Sequence, residues 1–161
     1  MRRGKNMTKT VKRYLFVVAA AAVLFLIIFV RNQSLRENGE FLSSVIEDDY
    51  DSIVVDINKI NTKTDEVHEQ KFLNKDEKER LGNFLSTQQF KKITGTKTSP
   101  SSDKGYLIEV RDQNGDIFFS LKSYGDEFIT GFLTSNEIPM QNFKLRIRDK
   151  DWINHMECFF L

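Results

Sequence analysis

Residues 106–122 read Tyr-Leu-Ile-Glu-Val-Arg-Asp-Gln-Asn-Gly-Asp-Ile-Phe-Phe-Ser-Leu-Lys, with two apolar runs on either side of a short polar segment. Asn114 and Gly115 lie in the middle of that segment, and both residue types tolerate the positive φ angles of a tight hairpin turn. The stretch therefore predicts two antiparallel strands, over 106–111 and 117–122, joined by this turn.

Further strand signals lie on both sides of this hairpin. Apolar or β-branched runs bounded by turn residues predict strands over 52–58, 66–73, 90–94, 127–133 and 143–148. Most connections are short, which favours antiparallel pairing because parallel strands need longer crossovers. The strands therefore predict one mainly antiparallel sheet.

Two helices are predicted beside the sheet. Asn74 and Glu77 have the spacing of a capping box at the start of a helix over 75–88. The apolar residues of 149–161 have helical spacing and predict a second, C-terminal helix. The order of elements is then β-β-α-β-β-β-β-β-α, which defines a small domain of the α+β class.

The first thirty residues contain a different kind of segment. Residues 14–30 have no polar side chain apart from the Tyr14 hydroxyl. A helix of this length spans roughly 26 Å, close to the bilayer core of about 30 Å. The segment predicts a transmembrane anchor from Tyr14 to Val30, with Arg13 and Arg31 reaching the two interfaces.

The basic residues around this segment predict its orientation. Six bases and no acid precede the segment, which places the N-terminus in the cytoplasm. The predicted organisation is a basic cytoplasmic tail (1–13), the anchor (14–30), a polar, acidic juxtamembrane linker (31–51) and an extracytoplasmic domain (52–161). Four residues of the linker have the apolar spacing of a short helix: Phe41, Leu42, Val45 and Ile46.

A cleaved secretory signal is the alternative interpretation of the N-terminus. The small residues of 19–22 lie in the middle of the apolar run, so cleavage there would leave an apolar new terminus. No small-residue site follows Val30. The pattern favours an uncleaved anchor.

Charge and cysteine content exclude several classes of protein. Residues 32–161 carry 17 basic and 23 acidic residues, a formal charge of −6, which disfavours binding to nucleic acid. The single cysteine, Cys158, excludes an internal disulfide and a metal site built from cysteines. The chain is also too short for a large two-lobed or barrel enzyme.

Three groups of residues match functional motifs only in part. Asp112, Asn114 and Asp116 have the spacing of a calcium loop that lacks its glycine and its final glutamate. Ser101 and Lys104 match an S-x-x-K pair without the companion motifs of acylating enzymes. Cys158 and His155 share a helical face, but their aromatic neighbours predict a core thiol. We therefore predict no catalytic, cofactor-binding or metal-binding residue, and no cofactor.

The predicted strands and the turn between two of them carry several aromatic residues that are candidates for binding a partner. These are Phe118, Phe119, Tyr124 and Phe128. Phe118 and Phe119 are adjacent and must point to opposite faces of the sheet. An exposed aromatic row suits a protein or peptide partner, and self-association is the other way to cover it.

These observations predict a non-catalytic, membrane-anchored binding or accessory module of a bacterial envelope. Its expected contacts are the lipid bilayer, through residues 14–30, and a protein or peptide at the outer membrane surface. The alternatives are a structural subunit of a secretion, conjugation or competence complex, and a small envelope hydrolase with an unrecognised site.

Overall fold

The computed structural model describes residues 23–26, 37–46, 51–93, 102–134, 140–148 and 151–161. The chain divides into two compact units, Met1–Ser34 and Leu35–Leu161. In the first unit, residues 23–26 are helical, and the rest of the predicted anchor lies outside the described residues. Among the residues described, none of the helices has the length and apolar character needed to cross a membrane.

The second unit contains one seven-stranded sheet in which every pair of neighbours is antiparallel. The strands are β1 (Val54–Asn61), β2 (Val67–Phe72), β3 (Phe90–Lys92), β4 (Lys104–Arg111), β5 (Ile117–Tyr124), β6 (Phe128–Leu133) and β7 (Gln141–Ile147). Their order across the sheet is β2-β1-β4-β5-β6-β7-β3. The predicted α+β class and the antiparallel sheet are confirmed.

The central hairpin forms as predicted, but its turn differs from the expected one. Gly115 alone adopts a positive φ, 89°, while Asn114 does not. The Asp112 side chain explains this, because its Oδ1 accepts the backbone N–H groups of Asn114 and Asp116, both at 2.9 Å. These bonds also lower the pKa of Asp112, chiefly through the N–H of Asp116.

Helix α2 (Lys75–Thr87) follows β2 and precedes β3, which are the two edge strands. It must therefore cross the sheet, whose seven strands span about 29 Å. Its capping box is present, with Asn74 Oδ1 accepting the Glu77 N–H at 3.0 Å. The buried residues Leu81 and Leu85 lie one turn apart and face the sheet.

Two more helices pack on the same face as α2. They are α1 (37–46) and α3 (Trp152–Glu157). Leu42 and Ile46 of α1 and Trp152 and Met156 of α3 join the core cluster that the sheet forms with α2. The three helices of the second unit therefore cover one face of the sheet.

The structure differs from the sequence analysis at both ends of the domain. The compact unit begins at Leu35, and the fully buried Leu42 and Ile46 make α1 part of its core rather than of a linker that ends at residue 51. The C-terminal helix ends at Glu157 instead of 161. Cys158 follows that helix and is exposed, so the prediction of a core thiol is wrong.

Candidate binding surface

The core that the sheet forms with α1, α2 and α3 lies on one face of the sheet, and these helices leave the opposite face uncovered. Cross-strand partners share a face, so the register identifies its residues in two long rows. One row is Phe72, Asp56, Glu109, Ser120, Phe132 and Asn142; the other is Gln70, Asn58, Leu107, Lys122, Thr130 and Lys144. We call this surface the open face.

A third, shorter row lies on the half of the open face formed by β5, β6, β7 and β3. Tyr124 pairs with Phe128, Phe128 with Arg146, and Arg146 with Lys91. This row lies about 7 Å from the Lys122–Thr130–Lys144 row, since successive residues on one face of a strand are two positions apart. Basic and aromatic side chains are thus neighbours in this half of the face.

The four aromatic residues predicted to bind a partner have different positions. Phe119 has 0% exposure and lies in the core under the helices, so its assignment to a binding surface is corrected. Phe118 is half-buried and also packs against core residues. Tyr124 and Phe128 are in the third row of the open face, where Phe128 is only 3% exposed.

Tyr124 and Phe128 are covered by lysine side chains. Their rings stack with centroids 4.6 Å apart. The Lys122 Nζ lies 5.0 Å from the Tyr124 ring centroid, and the Lys144 Nζ lies 4.9 Å from that of Phe128. Each ammonium group is held over a ring by a cation–π interaction. The surface therefore presents fixed positive charges instead of free aromatic rings.

We define the cationic strip as Lys91, Lys122, Lys144 and Arg146. Lys122 forms an ion pair with the exposed Asp65. Within the described part of the chain, Lys91, Lys144 and Arg146 form no ion pair. Three of the four strip residues thus carry a positive charge that no acid among the described residues pairs with, on a part of the chain whose formal charge is negative.

The opposite half of the open face carries a buried carboxylate. Asp56 has 0% exposure and forms an ion pair with Arg111, which also pairs with Glu109. Asn58 Nδ2 and Gln70 Nε2 both donate to Asp56 Oδ2, at 2.7 and 3.1 Å. Because each Asp56 oxygen already has a protein donor, this cluster holds β2, β1 and β4 in register.

Polar residues on the helix side attach the end of α3 to the sheet. The Tyr106 hydroxyl donates to Glu157 Oε1 at 2.6 Å, and Lys59 Nζ lies 2.9 Å from Glu157 Oε2. Burial, followed by the hydrogen bond to Glu157, raises the pKa of Tyr106 far above its usual 10. The hydrogen bond from Tyr106 lowers the pKa of Glu157. Tyr106 therefore keeps its proton, and the contact is structural.

A groove of about 430 Å³ lies between α2 and the C-terminal segment. His155 stacks on Phe84 with ring centroids 4.8 Å apart. The exposed thiol of Cys158 donates to the Asn154 carbonyl at 3.3 Å. Among the residues described, no three His, Cys, Asp or Glu side chains are close enough together to hold a metal ion.

The cationic strip was not predicted from the sequence. One signal for it was present: residues 143–148 alternate apolar and basic side chains, which places Lys144 and Arg146 on one face. The missing information was the pairing of β7 with β3, which brings Lys91 opposite Arg146. Asp56 gave no signal, because a single acid in a β-branched strand is normally assigned to solvent.

The fold and the open face define the class of this domain: a two-layer α+β domain with helices on one side of an antiparallel sheet. No protein-family model, curated protein or solved structure matches the chain.

Proposed function

We propose that this chain is a single-pass membrane protein of a bacterial envelope whose extracytoplasmic domain binds a protein or peptide partner and catalyses no reaction. The anchor is residues 14–30, with the N-terminus in the cytoplasm. The apolar length of that segment and the six bases before it support this placement.

The observation that carries the binding role is the open face of the sheet. The three helices of the second unit, α1, α2 and α3, belong to one core cluster on the other face. An antiparallel sheet tolerates one solvated face. Along each strand of such a sheet, apolar residues that face the core usually alternate with polar residues that face the solvent. This face instead combines stacked aromatic rings, fixed lysines and a buried ion pair. Such a combination suits recognition of another chain.

Site-specific crosslinking in the intact chain tests this role. Thr130 lies on β6 in the row between Lys122 and Lys144, so a photoreactive benzoylphenylalanine there reports on the centre of the open face. Glu79 is exposed on α2, behind the sheet, and serves as the matched control position. In living cells we expect discrete crosslinked products from position 130 and none from position 79.

Two other results would reject or redirect this proposal. The absence of products from both positions, or the same products from both, rules out the open face as the binding surface. Products obtained only from a crosslinker at Ala22, inside the anchor, favour the alternative of a structural subunit that assembles through its transmembrane segment.

A further inference from the structure

The cationic strip gives the open face a chemical preference. We propose that the partner contacts the strip through an extended, acidic protein segment whose carboxylates pair with Lys91, Lys122, Lys144 and Arg146. This inference rests on the proposed binding function and names the chemistry of the partner at that same surface.

The spacing of the strip fits an extended segment. Lys144 and Arg146 are two residues apart on β7, about 7 Å, and Lys91 lies one strand further, about 5 Å from Arg146. Alternate side chains of an extended peptide are also about 7 Å apart and point the same way. Carboxylates two positions apart in a partner segment therefore match Lys144 and Arg146, and Lys91 and Lys122 extend the positive charge across the strands on either side.

The state of the basic groups also favours an anionic partner. Lys91 and Arg146 are exposed, and neither pairs with an acid elsewhere in the described residues. Cation–π contacts hold Lys122 and Lys144 in place, which reduces the side-chain entropy lost when a carboxylate binds.

Two other anionic partners fit the surface less well. Nucleic acid binds open sheets by stacking bases on aromatic rings, but here the Tyr124 and Phe128 rings stack on each other beneath the two lysines. An anionic bilayer would meet the whole domain, and the formal charge of −6 on residues 32–161 opposes that approach. A single acidic segment needs to engage the strip alone.

Binding of defined probes to the full chain in neutral detergent tests the proposal. The probes are a fluorescent oligoglutamate, an oligoglutamine of the same length, an oligothymidylate and short-chain phosphatidylglycerol. We expect oligoglutamate to bind, oligoglutamine not to bind, and the affinity for oligoglutamate to fall steeply with added salt. The other two probes should bind more weakly than oligoglutamate.

Two charge-matched variants locate the binding. The strip variant combines Lys91→Gln, Lys144→Gln and Arg146→Gln, and the control combines Lys63→Gln, Lys75→Gln and Arg80→Gln away from the strip. We expect at least about a tenfold loss of affinity in the strip variant, since three exposed ion pairs are removed. The control should stay within about twofold of the unmodified chain, and the thermal unfolding of both variants shows whether they are folded.

Several results would overturn the proposal. They are the failure of oligoglutamate to bind, equal losses in the two variants, or tighter strip-dependent binding of oligothymidylate or phosphatidylglycerol. Crosslinks from position 130 that persist in the strip variant would also reject the acidic partner while leaving the proposed binding function intact. Absence of those crosslinks in the unmodified chain would reject the function itself.

Discussion

Asp56 occupies an unusual place for a carboxylate, because it is fully buried on the sheet face that lacks a described helix. Arg111, whose side chain is 24% exposed, compensates its charge. A buried charge is tolerated when it is paired and hydrogen-bonded, and Asp56 also accepts from Asn58 and Gln70. This residue thus joins three strands through one carboxylate.

Replacement of Asp56 should therefore be costly for stability. We expect Asp56→Ala to lower the free energy of unfolding by about 3 kcal/mol, because breaking a buried pair leaves the partner charge uncompensated. Glu109 still faces Arg111, which keeps the loss at the low end of the range for buried pairs. Urea denaturation of the full chain in detergent measures this change.

The Asp65–Lys122 pair supplies the matched control. Asp65 is 73% exposed and has a positive φ of 59°, which Asn tolerates, so Asp65→Asn removes the charge without backbone strain and should cost less than about 1 kcal/mol. Similar losses for the two substitutions would show that burial does not set the strength of the Asp56 cluster.

Among the elements of the fold, helix α1 lies in the region predicted as a linker (31–51) but belongs to the folded domain. Gly39 lies where α1 meets the end of α2, and a Cβ there would be 2.5 Å from the Gln88 carbonyl oxygen and 2.6 Å from that of Leu85. Asn38 Nδ2 also donates to the Phe90 carbonyl at 3.1 Å. These contacts attach α1 to α2 and to the edge strand β3.

A single methyl group should disturb this contact. We expect Gly39→Ala to destabilise the domain by about 1–2 kcal/mol, since overpacking against backbone outweighs the better helix propensity of alanine. Thermal unfolding monitored by circular dichroism measures the effect. Glu40→Ala, at the exposed neighbouring position, is the control and should be close to neutral. If Gly39→Ala matches this control, α1 is not packed as described.

Local patterns predicted the strands and α2 well, because their signals are contained within each element. The predicted helix over 75–88 and its capping box agree with α2, since capping depends on residues three positions apart. The burial of α1 was missed because its apolar face shows no partner until the chain has folded. The choice between Phe118 and Phe119 likewise depends on which face the helices cover.

The arrangement of charge across the sheet depends on long-range pairing. Alternation along β7 predicts that Lys144 and Arg146 share a face, but no local pattern relates them to Lys91 or Lys122. Those neighbours arise from β3 joining β7 and from the order β5-β6-β7. The strip is thus a property of topology, while each strand that contributes to it was visible in the sequence.

At the scale of the whole molecule, Cys158 provides a direct test of the proposed orientation. It is the only cysteine in the chain, and its thiol is exposed. If the domain is extracytoplasmic, a membrane-impermeant maleimide should label Cys158 in intact spheroplasts as fully as in lysed ones. Gel-shift labelling measures the modified fraction.

The matched variant moves the thiol to the other end of the chain. In Thr8→Cys combined with Cys158→Ser, the cysteine lies in the proposed cytoplasmic tail, and labelling should require lysis. Protection of Cys158 in intact spheroplasts, or labelling of residue 8 without lysis, would contradict the orientation.

The two edge strands of the sheet, β2 and β3, affect whether copies of this protein aggregate when they are tethered to a bilayer, the location that we propose. Diffusion in a plane brings identical molecules together often, and a free strand edge then invites chains to join into fibrils. β3 is only three residues long and contains two lysines, while β2 is almost entirely exposed, carries charged side chains and pairs with β1 across a bulge. Short, charged and irregular edge strands disfavour such edge-to-edge pairing. If the domain is tethered to a bilayer as proposed, these edge strands therefore allow a high surface density without edge-to-edge pairing, and the proposed binding surface stays accessible.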